Sequence, residues 1–154
     1  MKLRSWIVFS GYLWFFVGLM LLYKGLKLIA EAVFRTDSIC YHLSQIFGSS
    51  EQAATAMITF SLLMGLIKGR FVLSKTVRRV VVRIASLEPP IRFKDAYAPW
   101  YWAVIAFMIA LGMSLKYLPI PIDIRGVIDV AVGSALINGA FLYFKAARAI
   151  NLSA

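Results

Sequence analysis

The chain is short of nearly everything a soluble enzyme is built from. It has one cysteine and one histidine, which excludes a disulfide framework, a four-ligand zinc site and bis-histidine haem ligation within one chain. Only seven residues are acidic and 16% are charged, against roughly 25% in soluble domains. No G-x-S-x-G, H-E-x-x-H, P-loop or dinucleotide fingerprint occurs, and no two carboxylates are placed as an acid/base pair, so no catalytic residues are assigned and an enzyme is not expected. The sequence also implies no cofactor and no metal. What it does have is apolar surface: 61% of the 154 residues belong to the hydrophobic set and the mean hydropathy is +0.79. That is the composition of an integral membrane protein.

Four stretches are almost free of charge: Trp6 to Tyr23, Ala53 to Ile67, Ala96 to Leu115 and Gly126 to Phe144. A spanning helix needs about 17–25 residues at 1.5 Å each. The second stretch is short, but it continues through Lys68-Gly69-Arg70 into Phe71-Val72-Leu73, and long basic side chains near a helix end snorkel to the headgroups. The runs are continuous rather than alternating, which favours helices over a barrel. The expected fold is therefore an all-α membrane protein with four transmembrane helices. The first stretch exceeds a signal-peptide core and is followed by Lys24-Gly25-Leu26-Lys27 rather than a small-residue cleavage site, so it is read as retained.

Charge sets the orientation. Of the 17 basic residues, Lys2, Arg4, Lys68, Arg70, Lys75, Arg78, Arg79, Arg83, Arg92, Lys94, Lys145 and Arg148 fall on one side; Lys24, Lys27, Arg35, Lys116 and Arg125 fall on the other with five of the seven acids. Basic residues gather on the cytoplasmic side. Both termini are expected there, in a membrane of the bacterial inner type.

Shifted by 70 positions, Leu66-Ile67-Lys68-Gly69-Arg70-Phe71 lies over Leu136-Ile137-Asn138-Gly139-Ala140-Phe141, with Lys75 and Arg78 over Lys145 and Arg148. A weaker match at 94 positions sets Trp6, Gly18 and Tyr23 over Trp100, Gly112 and Tyr117. The chain reads as one membrane domain of two tandem parallel hairpins, residues 1–86 and 100–154, joined by a proline-bearing linker, 87–99. At aligned positions the second and fourth helices carry Ser61, Gly65, Gly69 and Ala131, Ala135, Gly139. Four-residue spacing puts each trio on one face, and such ridges let helices approach closely in lipid. These helices are expected to meet there, within or between chains.

Beyond Gly69 the sequence continues as an amphipathic helix, with Lys68, Lys75, Arg78, Arg79 and Arg83 opposite Leu73, Val77, Val80, Val81 and Ile84. An unbroken helix from the Ser49-Ser50-Glu51-Gln52 start, which has the S-x-x-Q form of a capping box, to Ser86 outruns a hydrocarbon layer of about 30 Å, so its last turns are expected to project or bend. Lys75, Arg78, Arg79 and Arg83 are candidate contacts for anionic lipid headgroups or an acidic partner; nucleic acid is not expected. In the first outer loop, Ile39, Leu43, Ile46 and Phe47 share a face, with Asp37 or Ser38 as cap and Gly48 as stop, which predicts a short amphipathic surface helix. Cys40 and His42 in this loop are read as surface or interfacial residues. Pro119 and Pro121 delay the fourth helix.

An ionisable residue inside a span is a functional candidate whose partner has to be named. Asp129 is one, with Arg125 as its simplest partner and Lys24 or Lys116 as tertiary alternatives. Asn138 and Lys68 flank the small-residue ridges, completing a candidate polar or ion site of Asp129, Asn138, Lys68, Lys116 and Lys24. Two functions fit. One is a small polytopic protein acting through assembly, as a homo-oligomer or accessory subunit. The other is a small transporter or channel with its path at the repeat interface.

Overall fold

The computed structural model describes residues 3–86 and 117–152, together with Ala106, Ala110, Met113 and Ser114. Its elements are α1 (Leu3–Ala32), α2 (Ile39–Phe47), α3 (Ser50–Lys68), a π-helical turn (Gly69–Leu73), α4 (Ser74–Ala85) and α5 (Ile122–Leu152). Every described element is helical. Three stretches, Ser5–Ala32, Ser50–Arg83 and Ile122–Ala149, are long and apolar enough to cross a membrane. The linker 87–99 and most of the third stretch, Ala96 to Leu115, lie outside the described residues, and with them the first helix of the second hairpin in the expected repeat.

Local chemistry sets the helix ends. The Ser38 hydroxyl accepts from the Tyr41 N–H, and Gly48 closes α2 at φ 89°, a left-handed conformation that glycine adopts without a side-chain clash. Ser49 caps α3 by accepting from the Gln52 N–H. Because Pro119 and Pro121 supply no N–H and restrict the residues before them, α5 starts only at Ile122.

Helix α5 is the centre of the molecule. Gly25 meets Gly126 and Gly18 meets Gly133, while Gly11 faces Phe144, so α1 runs antiparallel to α5. Gly65 meets Ala131 and Ser134, Gly69 meets Ala135, and Leu73 meets Gly139, so α3 runs parallel to α5. The π turn keeps the second contact in register. Each four-residue step, from Ser61 to Gly65 to Gly69, rotates an α-helix about 40° past a full turn, which would carry Leu73 away from α5. A wider i→i+5 turn takes some of that rotation back and returns Leu73 and Val77 to the shared face.

Among the described residues, the buried large side chains cluster at the two ends, with Leu136 buried between them. At the basic end Ile7, Val77, Val80, Tyr143 and Ala147 form one buried cluster; at the other Ile29, Ala32, Cys40, Ala54 and Val130 form a second. The level between them is filled by backbone contact at small residues, including fully buried Ser61. In α2 only part of the expected apolar face is inward. Ile39 and Leu43 are half-buried, whereas Ile46 and Phe47 are 78% and 45% exposed. The helix turns Cys40 toward the bundle instead.

Candidate functional site: the helix seams and the acidic end

The α1–α5 seam is built from a seven-residue repeat, Gly11, Gly18 and Gly25 on α1 against Gly126, Gly133, Ala140 and Ala147 on α5. A seven-residue period holds one face of each helix toward its neighbour. The approach is limited by backbone. A Cβ on Gly25 would lie 2.7 Å from the Gly126 carbonyl oxygen, and one on Gly133 would lie 2.7 Å from the Gly18 carbonyl oxygen. Gly11 differs, because its nearest neighbour is the ring of Phe144, a side chain that can turn.

Across this seam Lys24 Nζ lies 3.0 Å from Asp129 Oδ2, with Asp129 mostly covered (13% exposed) and Lys24 open (57%). Arg125, the simplest partner by sequence, is not the partner: its guanidinium donates to the Leu118 carbonyl at 2.5 Å, held there by the tight corner before α5. Asn138 donates from Nδ2 to the Leu66 carbonyl at 3.2 Å, joining α3 to α5. Lys68 is exposed, and Lys116 lies outside the described residues. Asp129 and Asn138 are nine residues apart on one helix, about 13 Å. Of the four described candidates, Lys24 and Asp129 are brought together, whereas Asn138 lies apart from them on α5. The Lys24–Asp129 pair ties α1 to α5, and Asn138 ties α3 to α5.

The small trios do converge, within a single chain. Ser61, Gly65 and Gly69 face α5 at Ala131, Ser134, Ala135 and Gly139. The two sides of this seam differ in how they would respond to substitution. A Cβ on Gly69 would stand 2.8 Å from the Cα of Ala135, whereas one on Gly139 would stand 3.1 Å from Cδ1 of Leu73, the tip of a flexible side chain. Gly69→Ala is expected to cost about 1–3 kcal/mol as overpacking. For Gly139→Ala, Leu73 can yield and alanine gains about 1 kcal/mol of helix propensity, so little change is expected. Melting of the two purified variants in the same detergent measures the difference.

Spacing in the sequence gives no sign of the role of Asp123. Its carboxylate is fully buried; Oδ2 accepts the Cys40 N–H at 2.9 Å and Oδ1 accepts the Ile124 N–H at 3.0 Å. One carboxylate thus serves the first turns of α5 and α2, whose N–H groups lack partners within their own helices. Cys40 is accordingly buried, not on the surface, with its Sγ 3.4 Å from Met57 Sδ; His42 is exposed. Burial, then the nearby Asp123 charge, pushes the Cys40 thiol above its ordinary value. It stays protonated and slow to alkylate at a pH where an exposed thiol reacts. Asp123→Ala leaves the Cys40 N–H without its acceptor and loosens α2. Maleimide labelling of Cys40 is then expected to accelerate roughly tenfold, the factor that about 1.4 kcal/mol represents.

Among the described residues no three or more His, Cys, Asp or Glu side chains gather as a metal site. No protein family matches this chain, and neither a curated protein nor a solved structure is significantly similar to it.

Proposed function

We propose that this chain is a four-crossing membrane protein that acts through assembly, as a homo-oligomer or as an accessory subunit of a larger membrane complex, with its basic side and both termini in the cytoplasm. Two observations support four crossings. Val77 and Val80 of α4 pack at the Tyr143–Ala147 end of α5, while Leu118 is tied to Arg125 at the other end. The residues between them contain the uncharged run Ala96 to Leu115, which has the length of one more crossing.

The assembly reading rests on the far side of α3. One face of this helix is spent on α5; opposite it, Gln52, Thr55, Ala56 and Thr59 form a small and polar stripe in an open groove with Glu51, Phe60 and Leu63. No described residue covers it. Polar side chains along a span face protein or water rather than lipid, and small residues at four-residue spacing admit a second helix. The scattering of Asp129, Asn138 and Lys68 speaks in the same direction, because a solute path needs its polar groups together.

The deciding measurement is the native mass of the protein extracted gently from its own membrane. A mass of several protomers, or of one protomer with companion chains, is the expected result, and partners found there define the biological task. A bare monomer overturns the assembly reading.

A further inference from the structure

We infer that the outward face of the π turn and α4 is a binding strip for anionic phospholipid, with phosphate held by Lys75, Arg78 and Arg79 and an acyl chain lying against Phe71. This deepens the basic-side reading above and rests on its topology. Phe71, Lys75, Arg78 and Val82 step along the helix by four, three and four residues, which places them on one face. All four are exposed, Phe71 by 71% and Val82 by 60%, and Arg79 stands beside them. The face is turned away from the bundle, because Val77 and Val80 on the opposite side pack against Ile7, Tyr143 and Ala147.

Depth is what selects a lipid. The register of α3 on α5 sets the depth of these residues. Gly69 sits against Ala135 and Leu73 against Gly139, so Phe71 is level with about Ile137, roughly 10 Å to the membrane side of Phe144, where the apolar run of α5 ends. Val77 and Val80 lie beside Ile7, one residue into the apolar run of α1. Lys75, Arg78 and Arg79 thus ring the boundary itself, at the level of headgroup phosphates. Phe71 lies below them, among acyl chains. Exposed Lys68 and Arg70 lie deeper still, and their side chains reach toward the same layer by snorkelling. A soluble acidic partner has no access to Phe71 at that depth, whereas a phospholipid presents an anion and an apolar chain at this separation.

The test uses the full chain in nanodiscs of phosphatidylcholine with phosphatidylglycerol, washed with detergent and examined by native mass spectrometry. Retained phosphatidylglycerol in excess over phosphatidylcholine is expected. Each basic residue near a charged surface is worth about a fivefold change in affinity, so Arg78→Gln/Arg79→Gln is expected to lower retention by roughly thirtyfold. The charge-matched variant Lys27→Gln/Arg35→Gln, at the opposite end, should leave retention unchanged. Equal retention of the two lipids, an equal effect of both variants, or an acidic polypeptide held by Arg78 and Arg79 in place of lipid overturns the inference. The same spectrum counts protomers. Lipid retention on a monomer would sink assembly and keep the strip, and an oligomer indifferent to headgroup charge would do the reverse.

Discussion

Gly133→Leu separates α1 from α5 and costs about 3 kcal/mol or more, at or beyond the top of the overpacking range. The reason is geometric. A Cβ at this position already lies 2.7 Å from the Gly18 carbonyl oxygen and 2.7 Å from the Leu22 nitrogen, so there is no side chain to rotate aside and one helix has to move. Gly25→Leu meets the same obstacle at Gly126 and Val130. Gly11→Leu meets only the Phe144 ring and is expected to cost clearly less. A denaturant series in mixed micelles, read by tryptophan fluorescence, ranks the three. Equal losses at Gly11, Gly25 and Gly133 would mean that the seam is not held by backbone approach.

The α1–α5 seam is also where sequence and structure part company most instructively. The helix ends were legible because Ser38, Gly48, Ser49 and Pro121 act on neighbours a few residues away. The α3–α5 seam was legible as a four-residue spacing, read at Ser61, Gly65 and Gly69. In α1 the repeat is seven residues and is overlaid by Trp14, Phe15, Phe16 and other large side chains, which dominate any reading by hydropathy. Phe16 and Tyr12 face outward, 70% and 63% exposed, whereas Trp14 and Phe15 are half-buried against α5 and its neighbours. In lipid the small residues mark the interface and the large ones mark its absence. Asp123 escaped for a different reason. Its partner is the backbone of Cys40, 83 residues away, and a main-chain N–H leaves no trace in composition. The burial of Cys40 follows from that contact and was hidden with it.

Reversing one charge at the Lys24–Asp129 pair is expected to be the second severe change, and reversing both is expected to repair it. The pair joins α1 to α5 one turn from the Gly25–Gly126 contact, so it sits where the helices are closest. Exposure of the lysine limits what the attraction alone contributes, as for other half-open pairs. Asp129→Lys does more than remove an attraction. It sets a second ammonium against Lys24 and places it four residues from Arg125, in a covered position; a loss of about 2 kcal/mol is expected. Lys24→Asp added to Asp129→Lys restores the opposite signs and most of the stability, whereas Asp129→Asn costs about 1 kcal/mol. This series separates the two functional readings. As a tie between helices, the pair tolerates exchange, and native mass and membrane level return in the double variant. A transport site does not tolerate exchange, because a solute or proton path reads which side carries the carboxylate. A flux in proteoliposomes that is abolished by Asp129→Asn, and that stays absent when the swapped pair has recovered full stability, would move Asp129 from the packing of this protein to its mechanism.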